Sequence, residues 1–225
     1  MSVPSPSPSL PPVAISRPSL ERRVRSVHRD MLRMGALVEH SCLLARRALC
    51  DRNLDAAKQL KIHDKAIDQL YRQIEVDCIG VLSLEAPLTQ DLRTISAFMQ
   101  MIRDLERIGD YAKDIGEVAL KLFPYPIHEC MPRIQVMLDR CRSMVALCLA
   151  ALSAFDAAAG IEIKQKDDVV DDDYDAIYDL LVQTPSTTVE PVVLLVLVIR
   201  YLERVADHAT NVGRRVTFIV TGERF

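Results

Sequence analysis

Glycine is scarce in this chain, with 7 residues among 225, and most of the 12 prolines fall near the N-terminus or between long uninterrupted segments. Few chain breakers, and segments rich in Ala, Leu, Arg, Asp and Glu, favour helix. A basic surplus is also missing. The formal net charge is -3 and the pI about 6.0, so no overall positive field would draw the chain to nucleic acid. None of the six cysteines (42, 50, 78, 130, 141, 148) forms a CxxC pair, which argues against a structural zinc site. Cys141 and Cys148, seven apart on one helical face, read as small buried hydrophobes, and unpatterned free thiols suit a reducing cytoplasm. There is no apolar run of the roughly 20 residues that span a bilayer. The most apolar stretch, Val192 to Ile199, is bracketed by Glu190 and Arg200 and reads as a buried helix segment. The Ser/Pro-rich residues 1–18 have no basic region followed by an apolar one. They read as a disordered tail rather than a secretory signal. No GxSxG elbow, Walker-type loop or GxGxxG motif is present, so the sequence offers no catalytic constellation.

What remains is a globular balance, 49% hydrophobic and 26% charged, arranged in six helical segments. The first runs from about Leu20 to Cys50, with Met31, Met34, Leu37, Val38 and Leu44 at helical spacing. Asp51 and Asn53 mark a turn and a new N-cap, and the second helix covers about Leu54 to Leu82. Pro87 opens the third, which ends near Leu122 because Phe123-Pro124-Tyr125-Pro126 cannot continue a helix. A fourth helix is predicted from about Pro132 to Ala158, with Gly160 as breaker. A fifth spans about Glu162 to Val182. After a turn at 183–186, the sixth reaches about Val220, with Gly222 beyond it. The β-branched run VVLLVLVI could alone be a strand, but it leads without a break into a segment that has a helical twin.

That twin organises the chain. IRDLERIGDYAKDIG (102–116) aligns without gaps with IRYLERVADHATNVG (199–213), and 8 of 15 positions are identical. Upstream, HDKAIDQLYRQI (63–74) matches KDDVVDDDYDAI (166–177), sharing Asp64/Asp167, Asp68/Asp171, Tyr71/Tyr174 and Ile74/Ile177. The offset falls from 103 to 97 between the two matches, so the intervening hairpin is shorter in the second copy. The fold expected is all-α, a tandem repeat of two three-helix bundles, 19–124 and 127–225, with antiparallel neighbours.

Residues four apart share a helical face. Glu106, Asp110 and Asp114 therefore form an acidic stripe, repeated as Glu203, Asp207 and Asn211. These oxygen donors suit hard cations. Arg103, Arg107 and Lys113, and likewise Arg200, Arg204 and Arg214, stand at ion-pair spacing, so ordinary ion pairs on a solvated face explain either stripe alone. Recurrence of the acids in one frame weighs for a site, and spacing leaves both readings open. Asn211 is neutral, which predicts weaker cation binding in the second copy. The acidic run Asp167, Asp168, Asp171, Asp172, Asp173 and Asp175 is a further candidate cation site, with a solvated face as the plainer reading. His208, beside Asp207, is a boundary residue or a peripheral ligand. Gly109, Gly116 and Gly213 either allow close helix approach or leave room for an ion beside the backbone.

With their two-copy layout, LERIGDYAKDIG and YLERVADHATNVG resemble the paired signature of the PhoU family, accessory regulators of bacterial phosphate-specific transport. Asp91-Leu92-Arg93 and the Asp64/Asp68 pattern resemble that family too, and the likeness covers about 20–222. The resemblance implies two three-helix bundles related by a pseudo-two-fold axis and self-association as a homodimer. It also implies multinuclear metal clusters, of iron or of Mn, Mg or Zn, held at Glu106, Asp110, Asp114, Glu203, Asp207 and Asn211. A cytoplasmic regulator follows that restrains phosphate uptake and the phosphate-starvation response. Its partners would be the transporter ATPase subunit and the phosphate-sensing histidine kinase. A metal-dependent phosphohydrolase, or a regulator attached to a different phosphate transporter, are the alternatives.

Overall fold

A computed structural model describes residues 17–83, 88–184 and 188–223. Among these, six helices follow in order: α1 (Arg17–Cys50), α2 (Leu54–Leu82), α3 (Thr89–Leu122), α4 (Met131–Ala154), α5 (Ala157–Gln183) and α6 (Val189–Thr221). Helices α1 to α3 form one bundle and α4 to α6 the other. The bundles meet through α1 against α4 and α3 against α6, while α2 and α5 touch only helices of their own bundle. Helices α1 and α3 thus each meet their own repeat counterpart across the seam, as a pseudo-two-fold axis allows, while α2 and α5 lie on the outside. The all-α tandem repeat is as expected.

The two hairpin turns that open the repeats are built alike. Asn53 caps α2, its side chain accepting from the backbone N–H groups of Asp55 and Ala56, and Asp156 caps α5 by accepting from Ala158 and Ala159. The residue before each cap, Arg52 or Phe155, adopts a left-handed conformation with φ of 53° and 52°. Such a φ is unfavourable for a side chain with a Cβ. Phe155 is held there by ring contacts with His28 at 4.7 Å and Phe98 at 6.4 Å. Arg52 donates to the carbonyls of Phe123 and Tyr125.

This turn corrects two expectations. Helix α4 ends at Ala154 rather than Ala158, and Gly160 lies inside α5 rather than breaking the chain. The reason Gly160 is glycine is proximity: a Cβ there would stand 2.3 Å from Thr217 Oγ1 and 2.6 Å from the Gly213 carbonyl oxygen. The helices α5 and α6 approach backbone to backbone at this point. In the first repeat Gly116 meets Leu60 and Ala57 in the equivalent place. Pro87 and the 185–186 part of the second predicted turn lie outside the described residues, as does the tail through residue 16. Arg17 and Pro18 already belong to α1.

The core is continuous across the seam. Met31, Met34, Leu44, Phe98, Met101 and Leu105 are among the fully buried side chains of the first bundle. In α6 the VVLLVLVI run is helical. Leu194, Leu195, Val198 and Ile199 face the core, while Val193 and Leu197 remain exposed, the period of a helix and not of a strand. Cys42, Cys141 and Cys148 lie in the core, where burial pushes the Cys42 and Cys148 thiols up to about 12. They serve as small apolar groups. Asp91 and Arg93 of the DLR segment are structural. Asp91 accepts from the Leu88 N–H and from Arg17, tying α1 to the start of α3, and Arg93 lies over the Phe218 ring beside Gly222.

Glycine contacts give opposite expectations at two positions. Gly160→Ala forces a methyl group into the α5–α6 contact and should cost about 2 kcal/mol in urea unfolding. Gly80, inside α2, has nothing within 4 Å of an added Cβ, and Gly80→Ala should stabilise by about 0.5–1 kcal/mol. Equal midpoints for the two variants would contradict this packing.

Candidate functional site

Helices α3 and α6 each carry a core face and an acidic face, and the acidic face turns toward the outer helix of the same bundle. In the first repeat Lys113 Nζ lies 2.8 Å from Asp64 Oδ1 on α2 and 3.0 Å from Asp110 Oδ1 on α3, bridging the two helices. Arg107 Nη1 pairs with the other Asp110 oxygen at 2.9 Å. Glu106 is half-buried on the same face. Burial raises its pKa first, then the Asp110 charge, and Asp68 on α2 adds to the effect. Burial works against the Lys113 charge as well, but hydrogen bonds to Asp64 and Asp110 outweigh it and push the ammonium pKa up.

The second repeat gathers the matching acids between α5 and α6. Burial raises the carboxyl pKa of Asp171, followed by the charges of Asp167 and, across the helix pair, Asp207. Glu203 is raised in the same way, by burial and then by Asp207 and Asp171, against the opposing pull of Arg200 and Arg204. Arg200 Nη1 is 2.7 Å from each Glu203 oxygen, but only the approach to Oε1 has hydrogen-bond geometry. Arg204 reaches Asp207 at 3.4 Å. Lys164 pairs with Asp167 at 3.0 Å and Asp168 at 2.9 Å, all three on α5, so it does not bridge to α6. The position matching Lys113 is Thr210, which is 3% exposed and whose hydroxyl has no hydrogen-bond partner.

The structure brings the first two members of each predicted stripe onto the face toward the outer helix and turns the third away from it, although Asp114 stays within electrostatic reach of Lys113 and Asp110. Each step of four residues advances about 40° around a helix of 3.6 residues per turn, so two steps carry residues 114 and 211 onto the seam between bundles. Burial, and after it the charge of Asp114, raises the pKa of Tyr201 on α6. Asn211 Nδ2 lies 3.5 Å from Asp104 Oδ1, which His208 Nδ1 holds at 2.8 Å. Tyr111 stacks on both Tyr201 and His208, so His208 belongs to the seam and not to the acidic face. The acids of the outer helices, Asp64, Asp68, Asp167 and Asp171, were visible as repeat matches, but spacing within one helix does not show which neighbour it faces.

Among the described residues no group of three or more His, Cys, Asp or Glu side chains is arranged to hold a metal ion. A cleft of about 580 Å³ beneath the 123–130 connection, lined by Leu49, Arg52, Tyr125, His128 and Leu195, contains none of the predicted site residues. No helix among the described residues is long and apolar enough to cross a membrane.

Two three-helix bundles in one chain, each with an acidic face between its inner and outer helices, define a tandem-repeat helical-bundle protein. The family model described as the PhoU domain matches residues 31–119 and again 134–216, so both repeats are PhoU domains and the chain belongs to the PhoU family. It is 48% identical over 210 residues to the "Phosphate-specific transport system accessory protein PhoU homolog" of Synechocystis sp., covering 92% of this chain and 94% of that one. The Deinococcus radiodurans protein of the same description is 29% identical over 92% of this chain and 99% of its own length. The crystal structure of PhoU from Pseudomonas aeruginosa superposes with a TM-score of 0.88 at 29% identity, covering 91% of this chain and 100% of that one. The phosphate transport system regulatory protein PhoU from Streptococcus pneumoniae gives a TM-score of 0.85 at 28% identity, covering 92% and 99%.

The crowding of the second repeat has a pH signature. A carboxyl whose folded pKa is raised disfavours the native state at pH above that pKa, and the penalty vanishes as the group protonates. Glu203→Gln removes the charge. In metal-free protein the variant should unfold at higher urea than wild type at pH 7, and the gap should close as pH falls below the ordinary carboxylate range. A lower midpoint at pH 7 would show that the Arg200 pairing dominates.

Proposed function

We propose that this protein is a regulatory accessory subunit of phosphate-specific transport that works by protein contact rather than catalysis. It restrains phosphate uptake and the phosphate-starvation response by contacting the ATPase subunit of the transporter and the phosphate-sensing histidine kinase from the cytoplasmic side, as a homodimer. The observation that carries this reading is the match of both repeats, over nearly the whole chain, to proteins described as accessory to phosphate-specific transport. An exposed apolar row on α6, Val189, Val193 and Leu197, supports a role through contact, since clustered apolar surface marks interaction sites.

The acidic face of the second repeat serves this role as a cation site. In the second repeat Asp167, Asp171, Glu203 and Asp207 offer only oxygen, and the unpartnered Thr210 hydroxyl lies at the same helical position as the Lys113 that enters the first acidic face. Donors of that type suit a hard cation such as Mn, Mg or iron, which would have to draw them together from the arrangement they have here, where no metal cage is formed among the described residues. A bound cation supplies positive charge that relieves the mutual repulsion of these carboxylates. The chain's own part is to hold two acids on α5 against two on α6, so that occupancy sets how firmly the outer helix is clamped.

A phosphate-starvation reporter in high-phosphate medium tests the regulatory reading. Deletion of the protein should switch the reporter on, wild type should restore repression, and the Glu203→Ala, Asp207→Ala variant should restore it only in part. A reporter that stays off after deletion would remove the support for repression.

A further inference from the structure

The two acidic faces descend from one repeated pattern but are not chemically equivalent. Their four acids correspond one to one: Asp64 to Asp167, Asp68 to Asp171, Glu106 to Glu203, Asp110 to Asp207. At the next position toward the core the repeats part. The first has Lys113, whose ammonium stands 2.8 Å from one carboxylate on α2 and 3.0 Å from another on α3. The second has Thr210, 3% exposed, with a hydroxyl that meets no partner. An ammonium between two carboxylates provides the charge and fills the volume that a cation would otherwise take. A divalent ion entering there would have to expel it, breaking both ion pairs and leaving a lysine beside a second positive charge. Lys164 offers no such plug to the second face, because both its partners lie on its own helix and it is well exposed.

We propose that the first acidic face is closed to metal because Lys113 is its permanent tethered cation, and that only the second face exchanges ions with solvent. The proposal rests on the reading of the second acidic face as a cation site. It reverses the ranking that Asn211 suggested from sequence: the lysine at 113 decides, while residues 114 and 211 lie on the seam. The repeats therefore divide two tasks. One bridges its outer and inner helices by charge at all times, and the other does so only when a cation is bound.

Chelator-treated full-length protein titrated with Mn²⁺, with free ion followed by electron paramagnetic resonance, tests this. Wild type should bind at the second face, and Glu106→Ala, Asp110→Ala should leave its stoichiometry unchanged. Lys113→Thr should gain about one further equivalent or more, since it restores an oxygen-only face, and Thr210→Lys should lose the binding that wild type shows. A Lys113→Thr protein that folds by circular dichroism but binds no more Mn²⁺ than wild type would overturn the proposal. So would wild-type binding that disappears with Glu106 and Asp110. Should wild type bind nothing and Lys113→Thr bind, the closure by Lys113 stands and the cation reading of the second face fails.

Discussion

The contact of α3 with α6 is the constraint on which the rest of the structure depends. Both helices pass through the centre of the molecule, each buried against the other and against α1 or α4. Because their core faces are committed there, Ile102, Leu105 and Ile108 on one and Ile199, Leu202 and Val205 on the other, the rotation of each helix about its axis is fixed. That rotation turns residues 106 and 110, and 203 and 207, toward the outer helix. It also turns 114 and 211 into the seam. An α-helix presents its side chains at fixed angles, so the geometry of the acidic faces follows from the packing of the core.

Within that frame the outer helices are attached by different means. Backbone approach at Gly160 and Gly213 brings α5 against α6 at one end, and Ala57 and Leu60 against Gly116 do the same for α2 and α3. Farther along each pair the buried apolar row continues, through Ile67 and Ile74 on α2 and Val170 and Ile177 on α5, and the acids flank it. Four carboxylates facing one another need positive charge, and the two repeats find it differently: Lys113 reaches across from α3 to α2, whereas Arg200, Arg204 and Lys164 pair within their own helices. A cation that bridges two helices ties them together, and one that pairs within a helix does not. The two repeats share the acids and the arginine pairs at Asp110 and Asp207, and differ in the bridging lysine.

Much of this was legible in the sequence, because helical period and repetition are local signals. The helix type, the two-copy layout and the acid pairs all follow from spacing along one helix. The boundary between α4 and α5 was misplaced because Gly160 was read for its backbone freedom. The residue is glycine because another backbone lies against it, a fact about α6. Carrying the repeat offset of 103 a few residues upstream would have aligned Asp156 with the N-cap Asn53 and placed the turn correctly. The acidic faces were half visible. Glu106 and Asp110 stood out, but Asp64 and Asp68 become their partners only once α2 lies against α3. Lys113 looked like any surface lysine at ion-pair spacing until its ammonium was found between two helices.

The most direct test of the account is an anomalous-scattering map from crystals of the full chain soaked in Mn²⁺. The account predicts a peak beside Glu203 and Asp207 and none beside Lys113, whose ammonium stays between Asp64 and Asp110. Peaks of equal height in both repeats would contradict it, because Lys113 would then have yielded its place and the two acidic faces would be the same site twice.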